Sequence, residues 1–376
     1  YLYTRGFLGY GGAAYIAANQ VTIDGCRFDD NQLKSYPVSF NNPSAYGGAL
    51  YIDATTVSIE RTTFTNNRAD AIGDFTSRNY GSAYGGAVYI RSATVIDVHQ
   101  TTFDGNIALG AGPASPDSQG GGLMAASSDS INISTSEFDN QQIGIGSSSD
   151  NGAALYLGTR SAVVRQIEVL NSRADKSAVF IFGKSLFEDN YLHDNLCGGL
   201  SVYNDFTISR CLFENNGRSA VDIRFPDAGS RIVNTTFYQN TGQEGGAIHA
   251  ENNNNTVNII NCTMVDNDSR VNNSPSTVYV ERGTLFFKNN IVSNTVFSSK
   301  PLGGLGNNGL VLSGGGNILR DNSLQMFLPL PNDRNSTDPR LGTFASHGGR
   351  LFSFDLQATS HAIDLLTKAQ QKFLDK

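Results

Sequence analysis

A six-residue phrase, Gly-Gly-Ala-apolar-Tyr-Ile, recurs along the chain and limits the folds that it can adopt. Full copies begin at Gly11, Gly47 and Gly85. Looser copies begin at Gly120, Gly152, Lys176, Cys197, Arg218, Gly245, Pro275 and Asn307. Successive copies lie 21 to 38 residues apart, which excludes a rigid repeat such as a heptad. A repeated core with one elastic segment is typical of a solenoid.

A second phrase follows each copy: two apolar residues at alternate positions, then a Cys, Thr or Ser, a Phe and an Asn. In the first repeat these residues are Val21, Ile23, Cys26, Phe28 and Asn31. Alternation by two is typical of β-strands, and the repeats show no apolar period of 3.6 residues. Because a flat parallel sheet would need crossover helices, we predict strands that stack on the equivalent strands of neighbouring repeats.

These patterns predict an all-β fold: a single-stranded right-handed parallel β-helix (solenoid) of about ten coils over residues 1–322. Residues 323–376 are expected to form an irregular closing segment with a short terminal helix. Phenylalanines in the register of Phe28 should stack inward. Asparagines in the register of Asn31 should form a turn ladder, because Asn tolerates a left-handed backbone. These asparagines are Asn31, Asn67, Asn106, Asn195, Asn216, Asn240, Asn267 and Asn294.

The four cysteines match no metal-binding or redox motif. Cys26, Cys211 and Cys262 share one inward position, which Thr or Ser fills in other repeats. Cys211 and Cys262 belong to repeats two coils apart, roughly 10 Å at one strand spacing per coil, which is too far for a disulfide. We therefore expect buried, unpaired thiols, and Cys197 is expected at a corner.

The segment between each closing Asn and the next Gly-Gly phrase varies in length. It spans 16 residues from Asn31 to Gly47, shortens to 2 in the middle repeats and lengthens again to 13. Loops on a rigid scaffold often carry function, so one interpretation is a saddle with a bare floor between two loop-rich walls. The alternative is that insertions are merely tolerated at this corner.

The fifth residue of each Gly-Gly phrase is expected to point outward, onto the floor of this saddle. In the N-terminal repeats it should form an exposed aromatic strip: Tyr15, Tyr51, Tyr89, Met124, Tyr156 and Phe180. Aromatic faces stack on sugar rings, and a few polar groups then orient the ligand. The predicted ligand-binding residues, at the middle of the file, are Tyr156, Phe180, Ser201, Asp222 and His249.

The candidate catalytic residues are Asp222, His249 and Arg224. A carboxylate beside an imidazole can hold a proton on the imidazole near neutral pH, which suits acid–base catalysis. The alternative interpretation is an ordinary cross-strand charged pair on a solvated face.

The alternation of Gly-Gly-Ala-apolar and Phe-x-x-Asn phrases resembles the repeats of polymorphic outer-membrane proteins. The Phe-x-x-Asn copies are Phe28-Asp29-Asp30-Asn31, Phe64-Thr65-Asn66-Asn67 and Phe103-Asp104-Gly105-Asn106. The resemblance covers most of residues 10–300. Because proteins with such repeats are bacterial surface β-helices associated with adhesion, it implies a surface location and a binding role.

The C-terminal segment resembles the closing module of β-helix proteins of the choice-of-anchor type. Its matching motifs are Asn317-Ile318-Leu319, Asp338-Pro339-Arg340-Leu341-Gly342, Gly348-Gly349 and Ser360-His361-Ala362-Ile363-Asp364. His361 replaces the Pro that the family usually carries. Members are secreted or surface-attached, often as parts of large bacterial proteins. Since the chain also begins at Tyr1 rather than Met, we expect it to be part of a larger secreted or surface protein.

Pectin-lyase-like enzymes share the predicted fold and supply the alternative hypothesis, a polysaccharide lyase, epimerase or hydrolase. The Gly-His-Gly and Arg-x-Lys motifs of polygalacturonase-type hydrolases do not occur in the sequence. No three carboxylates fall in one ladder, so no motif supports calcium, and we predict no metal or other cofactor.

A net charge of −7 argues against a nucleic-acid partner, which would need a basic surface. The sequence has no apolar run of about 18 residues, so we predict no transmembrane segment. We therefore expect an extracellular, secreted or outer-surface bacterial β-helix that serves adhesion or surface assembly. Its predicted partner is a polysaccharide or a host or cell-surface glycan, and enzymatic activity is the second hypothesis.

Overall fold

The computed structural model describes residues 2–4, 8–37, 41–73, 80–112, 116–144, 150–269, 277–293, 302–304, 309–320 and 330–363. Within them the fold is all-β with mostly parallel strands, and 361–363 are helical. The chain divides into two compact units. The N-terminal unit comprises Tyr1–Ser185 and Leu192–Val202, and the C-terminal unit comprises Leu186–Tyr191 and Tyr203–Lys376. The predicted boundary at residue 322 stays a prediction.

The described strands of the N-terminal unit form four parallel sets. The long ladder contains Ala14–Asp24, Leu50–Glu60, Val88–Ile90, Ala93–His99, Leu123–Ser134 and Leu155–Arg165. The Phe ladder contains Arg27–Asp29, Thr63–Thr65, Thr102–Asp104, Glu137–Asp139 and Glu168–Leu170. The third ladder contains Leu2–Thr4, Gln32–Ser35, Arg68–Ile72, Ile107–Ala111 and Gln142–Ile143. The covering sheet contains Leu8–Tyr10, Ser44–Tyr46, Ser82–Tyr84 and Ser118–Gln119.

The C-terminal unit repeats the first two sets. Its long-ladder strands are Phe206–Ser209, Val221–Pro226, Arg231–Val233, Ile248–Ile260, Val278–Lys288, Leu302–Gly304 and Gly309–Ser313. Its Phe-ladder strands are Leu212–Glu214, Thr236–Tyr238, Thr263–Val265, Ile291–Ser293 and Ile318–Leu319. A short pair is formed by Thr241–Gly242 and Asp268–Ser269. Strands with residues of both units are Ser177–Glu188, Tyr191–His193 and Gly198–Asn204.

Equivalent phenylalanines of successive repeats lie side by side, as the sequence predicts. In the N-terminal unit the in-register set is Phe28, Phe64, Phe103 and Phe138. Their ring centroids are 5.0, 4.9 and 4.7 Å apart, and the rings are nearly parallel. In the C-terminal unit the rings of Phe213 and Phe237 stack at 5.3 Å. The inward aromatic stack is therefore confirmed within each unit.

The asparagine ladder is also confirmed. The Asn67 side-chain oxygen accepts hydrogen bonds from the backbone N–H and the side-chain amide of Asn31, at 3.1 and 2.9 Å. Asn106 accepts the equivalent pair from Asn67, both at 2.9 Å. The backbone prediction was wrong by one position, because the left-handed residue precedes the ladder Asn, as at Asp30 and Asn66. Asn294 lies outside the described residues.

The outward file of the long ladder is exposed at Tyr15, which is 56% exposed, but does not continue as an exposed strip. Tyr51 and Tyr89 are only 4% and 8% exposed. Tyrosines from the covering sheet pack over them, with Tyr10 4.8 Å from Tyr51 and Tyr46 4.9 Å from Tyr89 between ring centroids. The expectation of an exposed strip was wrong because the segments between each closing Asn and the next Gly-Gly phrase, which were interpreted as loops, contain strands. These strands belong to the third ladder and the covering sheet. Packing two tyrosine files together removes their apolar surface from water.

The closing segment is more regular than predicted. Leu341–Ala345 and Ser353–Leu356 form an antiparallel hairpin. The rings of Phe344 and Phe354 lie 4.5 and 5.2 Å from that of Tyr238, so the hairpin packs on a Phe-ladder strand of its own unit. The expected terminal helix, Leu365 to Lys376, lies outside the described residues.

None of the four cysteines, which all lie within the described residues, forms a disulfide, and Cys197, Cys211 and Cys262 are buried as expected. The expectation was wrong for Cys26, which is exposed.

Burial raises the pKa of the Cys211 and Cys262 thiols to about 12. Because the thiolate is the reactive form, we expect Ellman's reagent to titrate Cys26 first in the native chain and four thiols after denaturation. Rapid native labelling of Cys211, or fewer than four thiols in denaturant, would contradict this prediction.

Candidate functional site

The predicted binding residues of the N-terminal unit are largely covered. The rings of Tyr156 and Phe180 stack with their centroids 4.6 Å apart and their planes 17° from parallel. Phe180 is 7% exposed and Ser201 is 3% exposed, whereas Tyr156 is half-buried. The structure therefore brings the aromatic pair together, and Tyr156 offers a ligand more ring surface than Phe180 does.

The three candidate catalytic residues meet in the C-terminal unit. Asp222 and Arg224 lie on the strand Val221–Pro226, and Asp222 pairs in register with His249 of the next long-ladder strand. The Nδ1 atom of His249 is 2.8 Å from Oδ1 of Asp222, and Nε of Arg224 donates to both Asp222 oxygens at 3.0 Å. All three side chains are half-buried.

A fourth residue, Glu251, completes this cluster and was missed in the sequence. Glu251 pairs in register with Arg224 and accepts a hydrogen bond from Nη1 of its guanidinium. The signal was present, because Glu251 follows His249 by two residues and alternation places both on one face of the strand. Arg224 thus bridges two carboxylates.

The charges of the cluster support one another. Burial disfavours the Asp222 carboxylate, but the hydrogen bond and charge of His249, together with those of Arg224, outweigh burial and lower the pKa of Asp222. Burial likewise opposes the charge of Arg224, yet Asp222 and Glu251 raise the pKa of its guanidinium. Asp222 and Arg224 are therefore both ionised at neutral pH.

This geometry permits acid–base chemistry without requiring it. The bond to Asp222 occupies Nδ1 of His249, so proton exchange with a ligand would use Nε2. The imidazole also stacks on Tyr279, with ring centroids 5.5 Å apart, which fixes its orientation. An oriented His–Asp pair suits a general base, and the same contacts also suit a cross-strand ion network that stabilises the sheet.

We expect Asp222→Asn to lower the free energy of unfolding by about 1.5–3 kcal/mol near neutral pH, the range for hydrogen bonds to charged groups. Because the pKa of Asp222 is lowered in the folded chain, unfolding takes up a proton in acid. The difference in the free energy of unfolding between wild type and variant should therefore be complete at pH values above 3.8, the ordinary pKa of an Asp carboxyl. It should disappear as the pH falls through the pKa that Asp222 has in the folded chain. Denaturant midpoints across a pH series test this, with Asp227→Asn, an exposed carboxylate, as the control. A difference that does not change down to strongly acidic pH would contradict it.

Neither a metal site nor a membrane span emerges from the part of the chain that the structure describes. No three His, Cys, Asp or Glu side chains there are grouped so that they could hold a metal ion. No helix in the same residues has the length and apolarity to cross a membrane.

Comparison with known families matches two segments, 61–91 and 234–251, to the Chlamydia polymorphic membrane protein repeat. The first segment contains Phe64 of the aromatic stack and the Gly-Gly phrase at Gly85. The second contains Phe237 and the phrase at Gly245. No curated protein and no solved structure matches the chain. The chain thus carries segments similar to a membrane-protein repeat, which indicates a surface-exposed, outer-membrane-associated protein.

Proposed function

We propose that this chain is a module of a larger cell-surface protein, and that its repeats form a right-handed parallel β-helix with a glycan-directed binding surface. The observation that carries the proposal is the match of two segments, 61–91 and 234–251, to a polymorphic membrane protein repeat. The Phe stack and the asparagine ladder support it, because they hold outward side chains on a rigid backbone. The role that fits best is adhesion.

Each unit, taken by itself, carries groups suited to sugar recognition. In the N-terminal unit the half-buried ring of Tyr156, backed by Phe180, offers an aromatic face for the C–H groups of a sugar. In the C-terminal unit Asp222, His249 and Arg224 offer both hydrogen-bond donors and hydrogen-bond acceptors. The proposed partner is a polysaccharide or a cell-surface glycan.

A binding assay tests this function directly. Labelled chain is applied to a glycan array and to cultured cells with and without enzymatic removal of surface glycans. We expect binding to depend on the glycans, and Tyr156→Ala to weaken it at least tenfold because the stacking face is lost. Tyr36→Ala, at an exposed tyrosine outside the proposed site, serves as the control. Equal binding to stripped cells, or no binding at all, would refute a glycan-directed adhesin.

The paired His249 and Asp222 favour a second candidate function, a polysaccharide lyase, epimerase or hydrolase. Incubation with uronate and neutral polymers, followed by chromatography of the products, tests for turnover. An enzyme that uses this pair would lose turnover in His249→Ala while still binding the polymer. An adhesin would bind without producing new species.

A further inference from the structure

Two successive repeats of the N-terminal unit carry an extra residue at the same point of the long ladder. Ile90 and Val95 are five positions apart, whereas their partners in the preceding repeat are four positions apart. In the following repeat the register shifts again, between Ala125 and Ser128. Such β-bulges bend a strand and are common beside functional sites.

The bulged segments line an open groove of roughly 360 Å³, within the range of small-ligand sites. Its lining includes Asp53 and Ala54 from one repeat, Ser92 and Ala93 from the next, and Ser128 and Asp129 from the third. The groove is open because its alanine and serine side chains are small, and its lining is polar because it contains carboxylates and hydroxyls. With Ala18 of the strand Ala14–Asp24, four successive repeats thus contribute to one concave surface.

The charges in the groove are locally balanced. Asp53 accepts a hydrogen bond from the Ser92 hydroxyl at 3.1 Å and pairs with Arg91, also at 3.1 Å. Asp129 pairs with the exposed Arg160 at 3.3 Å. Carboxylates flanked by arginines and hydroxyls offer acceptors and donors side by side, which suits the hydroxyl groups of a sugar.

One hydroxyl of the groove has unmet bonding capacity. Ser128 is only 6% exposed, and its Oγ has no hydrogen-bond partner among the residues that the structure describes. A buried hydroxyl without a partner is costly, and a ligand that supplies one removes that cost. This observation is independent of the shape and the charge of the groove.

We propose that this groove is a binding subsite for a neutral oligosaccharide. The carboxylates of Asp53 and Asp129 would repel an anionic sugar. They would attract a cationic ligand only weakly, because each is already paired with an arginine. The inference rests on the proposed glycan-directed function, and it places a subsite of that function away from Tyr156. Asp53 and Ser128 orient the sugar, and the space beside Ala93 receives it.

The test uses the full chain with neutral oligosaccharides of hexose and N-acetylhexosamine, and with sialylated and uronate-containing counterparts. Ala93→Phe fills the groove, and Val95→Phe adds the same ring at an exposed position of the same strand outside it. Asp53→Asn removes a groove carboxylate, and Asp97→Asn removes an exposed carboxylate of the strand Ala93–His99 outside the groove. We expect the two groove variants to bind neutral oligosaccharides at least tenfold more weakly, and both controls to bind as wild type does.

Ser128→Ala separates ligand binding from a folding defect. Since the hydroxyl lacks a partner in the free chain, the variant should melt no lower than wild type while binding neutral oligosaccharides more weakly. Unchanged affinity in both Ala93→Phe and Asp53→Asn, or a preference for the acidic sugars, would overturn the groove assignment. If Tyr156→Ala still weakens binding in that case, the proposed function stands without the groove. No glycan binding by wild type would overturn both proposals.

Discussion

Replacing Phe103 with Ala is expected to lower the free energy of unfolding by about 3–5 kcal/mol, the usual cost of deleting a buried Phe. The side chain is fully buried, and its ring is sandwiched between Phe64 and Phe138 at 4.9 and 4.7 Å. Removing it leaves a cavity bounded by two rings that the backbone ladders hold in place, so the neighbours cannot close the gap. The loss should be larger than for a Phe at an edge of the stack, such as Phe28.

Chemical denaturation followed by circular dichroism measures this effect, since the chain has no Trp to report by fluorescence. Phe182→Ala deletes the same side chain at a position that is 51% exposed and serves as the control. We expect the control to lose less than about 1 kcal/mol. Because a stack of repeats couples mainly to nearest neighbours, hydrogen exchange should show the loss beside Phe103 first. Equal midpoints for the two variants would mean that the Phe stack does not stabilise the unit.

Gly48→Ala is expected to destabilise the N-terminal unit by about 3 kcal/mol or more, at the upper end of overpacking effects. A Cβ at Gly48 would lie 1.9 Å from the carbonyl oxygen of Gly86 and 2.5 Å from the backbone nitrogen of Arg68. These are backbone atoms held by hydrogen bonds between repeats, so they cannot yield as a flexible side chain does. Relief would require the repeats to move apart and break that ladder.

Gly25→Ala is the matched control for this steric effect. Gly25 has a φ of +60°, and an added Cβ would meet no atom within 4 Å. Its substitution therefore costs only the left-handed strain of an L-residue, about 1–2 kcal/mol. Thermal melting of both variants distinguishes the destabilisation caused by a steric clash at Gly48 from that caused by backbone strain at Gly25. A Gly48→Ala variant no less stable than Gly25→Ala would show that the repeats tolerate a wider spacing at this corner.

The covering sheet changes where ligand recognition is expected in the N-terminal unit. Tyr51 and Tyr89 serve as a second, tyrosine-rich core rather than as a sugar platform. The polar groove around Asp53 and Ser128 lies on the same long ladder, at the bulges, where side chains are small. Recognition there would depend on hydrogen bonds more than on aromatic stacking.

The sequence alone predicted the in-register stacking of the repeats. Phe64, Phe103 and Phe138 each lie two residues after the Thr or Ser of the second phrase, and equivalent positions in parallel strands place side chains next to one another. The asparagine ladder was predictable for the same reason. The pairing of Asp222 with His249 also follows from matching positions in two adjacent repeats.

Only the tertiary structure decided which outward residues are covered. Alternation shows that Tyr51 points away from the strand core, but its burial depends on Tyr10, which returns on a separate strand. Alternation of apolar and polar residues does not identify that strand, because it spans only three residues, Leu8–Tyr10. The groove was hidden likewise, since a one-residue bulge opens space only when Ala93 and Ser128 meet across neighbouring strands. Local periodicity determines which way a side chain points, whereas exposure depends on which distant segment packs over it.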